Sequence, residues 1–216
     1  MTLQNGLIYE RDAYLWSDTA LWNEFGQRVA TVAKIFAGAD WPWWVIHSGD
    51  SPTDDAFKAI RLLTERGSVS RDALLADAQA VLRAMVSEGR ECRFLFAFPC
   101  EASGARLYHM AAEAMPEREP FEIVRVGKYL SSGGDADWYA PHAAARTPEE
   151  MRALIACQLA DNGEDTMGMK LSHPVSDIIQ QRVGPGGFDT TQWRPIDGQL
   201  VEVPLGEGLN RLFEAA

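Results

Sequence analysis

Lysine is scarce in this sequence, and only Lys34, Lys58, Lys128 and Lys170 occur among its 216 residues. Lysine and arginine together number 20 against 31 acidic residues, which gives a formal net charge of -11. No local basic patch offsets this charge, so the chain is expected to repel nucleic acid and anionic lipid. We therefore expect neither a nucleic-acid partner nor a membrane partner.

Long apolar runs are also missing. The sequence has no stretch of about 18 apolar residues that would predict a membrane-spanning helix. Its opening residues, MTLQNGLIYERD, lack the basic stretch and apolar run of a secretory signal. These two absences predict a cytoplasmic protein.

Metal-binding and disulfide patterns are missing as well. Cys92, Cys100 and Cys157 fit neither a CxxC pattern nor a disulfide framework, and buried thiols are the preferred interpretation. The four histidines show no HExxH or paired ligand spacing. We expect no metal and no cofactor.

Hydrophobic residues, in contrast, make up 46% of the chain, enough for one sizeable core. We expect residues 1–216 to form a single domain. Strand-like runs cover 3–9 and 13–17 as a hairpin, then RVATVAKIF from Arg28 and WWVIHS from Trp43. Residues 184–216 are rich in Gly, Pro and turn residues and are taken as a C-terminal extension of uncertain structure.

Helical periodicity follows the first strands. TDDAFKAIRLLTER and SRDALLADAQAVLRAMVSEG each place apolar residues on one face. Strand-like runs return at CRFLFAF, ARLYHM and FEIVRV, after which Thr147, Pro148 and Glu150 form a capping box that opens a third helix. Segregated blocks of this kind favour an α+β layered fold.

Several of these stretches resemble a known family. The run from GLIYERDAYLWSDTALW through KIF to VIHSGDSPTDDAFKAIRLL is similar to the N-terminal half of proteasome β subunits and of the bacterial peptidase subunit that partners an ATP-dependent unfoldase. YLSSGGDADWYAPHAAARTPEEMRALIACQLADN resembles the family's Gly-Ser-Gly turn and the helices after it. The resemblance covers about residues 2 to 180, and it implies a four-layer αββα sandwich of the N-terminal-nucleophile (Ntn) hydrolase type.

The family's spacing supplies candidate catalytic residues. Its nucleophile is a threonine at the mature N-terminus, here Thr2 after removal of Met1. Its catalytic Asp and Lys lie 16 and 32 residues further on, which are Asp18 and Lys34 in this sequence. With four lysines and fifteen aspartates in the chain, both matches together arise by chance about once in a thousand.

The chemistry explains why these residue types belong together. A threonine hydroxyl needs a neighbouring base, and a free α-amino group, with a reference pKa of about 7.7 to 8.0, is one. A cation at Lys34 would favour the neutral amine and stabilise a developing alkoxide, while Asp18 would hold that cation in place. A Lys34→Ala variant is expected to lose acyl transfer with little effect on folding.

Further roles follow from the resemblance. Backbone N–H groups at the turn after WWVIHS would bind the oxyanion, with Gly49 preferred and Ser48 close behind. Ser132 matches the Ser of the Gly-Ser-Gly turn, and Asp165, with Asp161 as the alternative, matches an Asp that supports the terminal amine. While Met1 is present, the amine of Thr2 is blocked and the catalytic base is absent.

Three functions stay open at this point. The first is a threonine-type peptidase or amide hydrolase. The second is a non-catalytic scaffold or assembly protein that retains Met1, and the third is a small-molecule amidase. The resemblance also implies a homo-oligomer, with a ring and an ATP-dependent unfoldase partner as further expectations.

Overall fold

The computed structural model of the chain describes residues 3–22, 28–32, 34–38, 43–49, 54–66, 70–89, 92–115, 118–130, 144–161 and 176–206. In chain order its elements are β1 Gln4–Tyr9, β2 Asp12–Asp18, β3 Ala20–Trp22, β4 Arg28–Thr31, β5 Ile35–Ala37, β6 Trp44–Gly49, α1 Asp54–Arg66, α2 Arg71–Met85, β7 Cys92–Phe98, β8 Arg106–Ala111, β9 Val124–Val126, β10 Lys128–Leu130, α3 Pro148–Asp161, β11 Ile178–Gly184, β12 Gly187–Ile196 and β13 Gln199–Val203. This is a mixed α+β fold, as the segregated sequence blocks predict.

Capping residues in the sequence mark the starts of two helices. Ser70 caps α2, because its Oγ accepts a hydrogen bond from the Ala73 N–H at 3.2 Å. At α3, the Glu150 N–H donates to Thr147 Oγ1 and the Thr147 N–H donates to Glu150 Oε2, both at 3.2 Å. The capping box is therefore confirmed, and all three predicted helices are present, because caps and periodicity are local signals.

The strands build two large antiparallel sheets. The six-stranded sheet has the order β10-β1-β2-β11-β12-β13, and the five-stranded sheet has the order β5-β6-β7-β8-β9. Strands β3 and β4 pair only with each other among the described residues. The predicted hairpin is β1–β2, and its turn is closed by Glu10, whose φ of 54° lies in the left-handed region.

The RVATVAKIF run does not form one strand. Arg28–Thr31 pairs with β3, whereas Ile35–Ala37 pairs with β6 at the edge of the five-stranded sheet. Hydrophobic alternation cannot report such a change of sheet, because it is local and the pairing partner is distant. The split leaves Lys34 immediately before β5.

The segment after residue 184 is more regular than its turn residues suggest. Residues 187–203 form β12 and β13, which together with β11 complete the six-stranded sheet. The turn between β11 and β12 starts at Gly184, where a Cβ atom would lie 1.8 Å from Asp12 Oδ1. Part of the segment 184–216, taken from its sequence as an extension of uncertain structure, thus forms strands of the six-stranded sheet.

Three clusters of buried apolar side chains hold these elements together. The first joins α1 and α2 to the five-stranded sheet, the second lies between the two sheets, and the third joins α3 to the six-stranded sheet. Representative members are, in that order, Ile60, Leu74 and Phe94; Leu15, Leu95 and Ile179; and Trp16, Met151 and Ile155. Burial of these side chains provides the main driving force for folding.

The two sheets approach each other closely at Gly6. A Cβ atom on this residue of β1 would lie 2.6 Å from a Leu95 methyl carbon and 3.2 Å from one of Leu107. We expect Gly6→Ala to lower the free energy of unfolding by about 1–3 kcal/mol, since extra volume must displace packed side chains. Urea unfolding measures the change. Gly127→Ala is the matched control, because a Cβ there meets no atom within 4 Å; equal losses in both variants would contradict the prediction.

Candidate functional site

A buried ion pair connects the ends of two elements near the N-terminus. Asp18 is the last residue of β2, and Lys34 immediately precedes β5. Lys34 Nζ lies 2.8 Å from Asp18 Oδ2, and the two side chains are 5% and 7% exposed, respectively. Charges this deeply buried need partners, and here Asp18 and Lys34 are each other's partner. The structure thus brings together two residues that the sequence spacing singles out.

The second oxygen of Asp18 binds the start of the chain. The Leu3 N–H donates to Asp18 Oδ1 at 2.9 Å. Leu3 follows Thr2 directly and stands just before the β1–β2 ladder, whose first pair is Gln4 with Ser17. One carboxylate therefore holds both the backbone next to Thr2 and the Lys34 ammonium.

Residues just before β11 hold the end of β2 in place. The Thr19 N–H donates to the Asp177 carbonyl at 3.0 Å and to Ser176 Oγ at 3.2 Å. The Ala20 N–H donates to the same Ser176 Oγ at 3.1 Å. The β2–β11 ladder pairs Asp18 with Ile178, about 160 residues away in sequence. Sequence reasoning missed Ser176 and Asp177, and the signal that could have found them is their position before the strand-like run IIQQRV.

Gly49 and Ser48 belong to strand β6. The backbone of Gly49 pairs with Cys92 and that of Ser48 with Arg93 across the β6–β7 ladder. Gly49 is thus the last strand residue and does not lie in the turn beyond it. Its assignment as an oxyanion donor stays a prediction.

His47 connects the end of β6 to the ion pair electrostatically. Burial, and then the charge of Lys34, lower the pKa of His47 to about 4, so the ring is neutral at pH 7. Its Nε2 lies 3.2 Å from the Sγ of Cys92. The sequence does not single out His47, because nothing in its spacing indicates a lysine neighbour.

Only one of the three cysteines is fully buried. Cys92 is buried, whereas Cys100 and Cys157 are half-buried, and none of the three forms a disulfide. The interpretation of every cysteine as a buried thiol is therefore wrong for two of them. Within the described ranges, no three His, Cys, Asp or Glu side chains are grouped to hold a metal ion.

Other candidate residues lie outside the described residues. These are Thr2, Ser132 and Asp165. Asp161, the alternative to Asp165, is the last residue of α3. The roles that the resemblance implies for these residues stay predictions.

Two buried histidines predict how stability depends on pH. His109 in β8 resembles His47: burial, then Arg118 and Arg93, lower its pKa to about 4. The unfolded chain takes up a proton on each ring as the pH falls below about 6.5, while the folded protein does so only near 4. The free energy of unfolding should therefore fall between pH 6.5 and 4, by on the order of 2–3 kcal/mol per histidine.

Urea unfolding at pH 7.5 and 4.5 measures this loss. A His47→Gln/His109→Gln variant should show a flatter dependence, because neither glutamine titrates. An unchanged slope in the double variant would show that other groups carry the effect.

The antiparallel sheets and the few helices define a mixed α+β protein. Comparison with solved structures shows its distant likeness to a proteasome-like fold. Among solved structures, it is similar to the Gly-1 mutant of Anbu from Hyphomicrobium sp. strain MC1. The alignment covers 100% of this chain and 92% of that chain, with a TM-score of 0.63 and 12% sequence identity. At this identity the likeness shows the fold alone.

The other comparisons find no match. No family model matches the sequence, and no curated protein does. None of the helices among the described residues is long and apolar enough to cross a membrane.

Proposed function

We propose that this protein is a threonine-type N-terminal-nucleophile peptidase or amide hydrolase. In this proposal Thr2 becomes the nucleophile once Met1 is removed. The observation that carries the proposal is the Asp18 carboxylate, which binds the Lys34 ammonium at 2.8 Å and the backbone next to Thr2 at 2.9 Å. A buried cation linked through Asp18 to the backbone of Leu3 supports this chemistry, in which a nearby positive charge stabilises the developing alkoxide.

The proposed fold is the four-layer αββα sandwich. The three apolar clusters support it, because they join α1 and α2 to one sheet, that sheet to the second, and the second sheet to α3. In this sandwich Leu3, Asp18 and Lys34 lie at the ends of β1, β2 and β5.

The reaction begins when Thr2 Oγ attacks the substrate carbonyl carbon. The hydroxyl proton passes to the free α-amino group, and Lys34 stabilises the alkoxide character on Oγ. Backbone N–H groups at Gly49, or at Ser48 in its place, stabilise the negative charge on the carbonyl oxygen by hydrogen bonds.

Collapse of this intermediate breaks the C–N bond of the amide. The α-amino group returns the proton to the leaving nitrogen, and an ester on Thr2 remains. Water, deprotonated by the same amine, then hydrolyses the ester and regenerates the hydroxyl. Ser132 and Asp165 are proposed to hold the amine by hydrogen bonds.

Assembly and location are part of the proposal. The resemblance to a self-compartmentalising family supports a cytoplasmic homo-oligomer, with peptides or small amides as substrates. A ring, and an unfoldase that feeds it, extend the same argument. Native mass spectrometry of the purified protein reports the subunit number, and a monomer at micromolar concentration would contradict the oligomer.

The deciding experiment uses untagged protein purified from its own cells. Intact mass spectrometry should show loss of Met1, and a peptide epoxyketone or β-lactone should then add one mass equivalent at Thr2. Retained Met1 would exclude the threonine mechanism and leave the non-catalytic scaffold. If Thr2 is labelled, turnover of fluorogenic peptides supports the peptidase, whereas turnover of small amides alone supports the amidase.

A further inference from the structure

Gln4 places a buried amide between the two sheets, two residues after Thr2. It is the first residue of β1, and its side chain is fully buried. Its Nε2 donates to the Ile46 carbonyl in β6 at 2.9 Å. This bond crosses from the six-stranded sheet to the five-stranded sheet.

A polar side chain in this place is costly to bury. Nearby inter-sheet positions hold apolar residues such as Leu15, Ile46 and Leu95. A methionine would fill a similar volume without the desolvation cost of an amide. What glutamine adds is a directional bond, which fixes a distance that apolar packing leaves adjustable.

The two connected strands carry different parts of the proposed site. Thr2 lies two residues before Gln4, about 7 Å along an extended chain, and Gly49 lies three residues after Ile46, about 10 Å along β6. Strands β1 and β6 belong to different sheets, so no backbone ladder sets their separation. The Leu3–Asp18 bond fixes the start of the chain within its own sheet only.

We propose that Gln4 is a positioning residue that sets the gap between the Thr2 hydroxyl and the backbone N–H groups at Gly49. This inference rests on the proposed function. Attack on a carbonyl requires the nucleophile and the oxyanion donors in fixed relation, and a misplacement of about 1 Å costs roughly a hundredfold in rate. The Asp18–Lys34 ion pair connects the ends of β2 and β5, and Gln4 adds a directional bond from β1 to β6.

The test compares Gln4→Met with Gln180→Met in the mature protein lacking Met1. Both changes remove a buried amide. Gln180 Oε1 accepts from the Trp16 indole N–H at 2.9 Å, and Trp16 belongs to the cluster at α3, away from the inter-sheet space. The control therefore loses a buried side-chain amide and its hydrogen bond without disturbing the link between the sheets.

Intact mass spectrometry at several concentrations of a peptide epoxyketone gives the maximal labelling rate and the half-saturating concentration. For Gln4→Met we expect the maximal rate to fall about 10- to 100-fold, with the half-saturating concentration changed less than about threefold. Gln180→Met should stay within about threefold of the wild-type rate. Circular dichroism confirms that each variant is folded. If Gln4→Met does not fold, Gln4→Asn takes its place, since its shorter side chain keeps the polarity but falls short of Ile46.

The outcomes separate the two claims. A wild-type protein without label at Thr2 would overturn the proposed function and the positioning role with it. A labelled wild type with equally fast Gln4 variants would overturn the positioning role alone. Equal rate losses in Gln4→Met and Gln180→Met would also overturn it, because the effect would then follow from general destabilisation.

Discussion

Thr2→Ala is expected to abolish covalent labelling and hydrolysis. Alanine keeps a small second residue, so removal of Met1 is unaffected, but no hydroxyl is left to form the ester. Loss of a nucleophile lowers turnover by about 10⁴-fold or more, to the background of the assay. Thr2→Ser is the matched control, because it keeps a hydroxyl on the same carbon.

Intact mass spectrometry after incubation with a β-lactone or peptide epoxyketone gives the readout. The wild type and Thr2→Ser should each gain one adduct, and Thr2→Ala should gain none. An adduct on Thr2→Ala would show that another residue is the nucleophile, and peptide mapping would identify it.

Lys34→Met is expected to lower activity and stability together. Methionine has a similar length but no charge, so the proposed alkoxide loses its cation, and the labelling rate should fall by about 10²–10³-fold or more. The sequence alone suggests little effect on folding. Burial changes this expectation, because Asp18 is left 7% exposed and without its cation. Breaking a buried pair from one side costs about 3–5 kcal/mol of unfolding free energy.

A second variant separates the two effects of Lys34→Met. In Asp18→Asn/Lys34→Met the orphaned charge is gone, so urea unfolding should show part of the stability restored while labelling stays lost. Lys58→Met is the control, since Lys58 is exposed on α1 and the loss of an exposed lysine's interactions should change stability by about 1 kcal/mol or less. Wild-type labelling by Lys34→Met would contradict the assignment of Lys34.

The tryptophans at the start of β6 test an interpretation made from residue type alone. The WPWW segment suggests a substrate pocket or, as the preferred interpretation, core or subunit interface. Trp43 and Trp44 are 2% and 3% exposed and lie in the helix-side and inter-sheet clusters, respectively. For these two residues the core interpretation is confirmed. Trp41 lies outside the described residues.

Asp18 and Lys34 show what family spacing can predict. Their positions, 16 and 32 residues after Thr2, match the family's spacing, and the structure brings their side chains together. Their supports were not predictable in the same way. Ser176, Asp177 and Gln4 act through bonds to distant segments, and each is an ordinary residue in its local sequence.

The sequence by itself determined the local features of this protein. It determined three helices through caps and periodicity, the β1–β2 hairpin through alternation around a polar turn, and the spacing of Asp18 and Lys34. Each depends on interactions within a few residues or on position alone. Only the tertiary structure decided which sheet each strand joins and that residues 187–203 complete the six-stranded sheet. It also decided that Lys34 lies between β4, which pairs with β3, and β5, which belongs to the five-stranded sheet. Those outcomes depend on hydrogen bonds and burial between segments far apart in the chain, such as Asp18 with Ile178 and Gln4 with Ile46, and no local pattern encodes such partners.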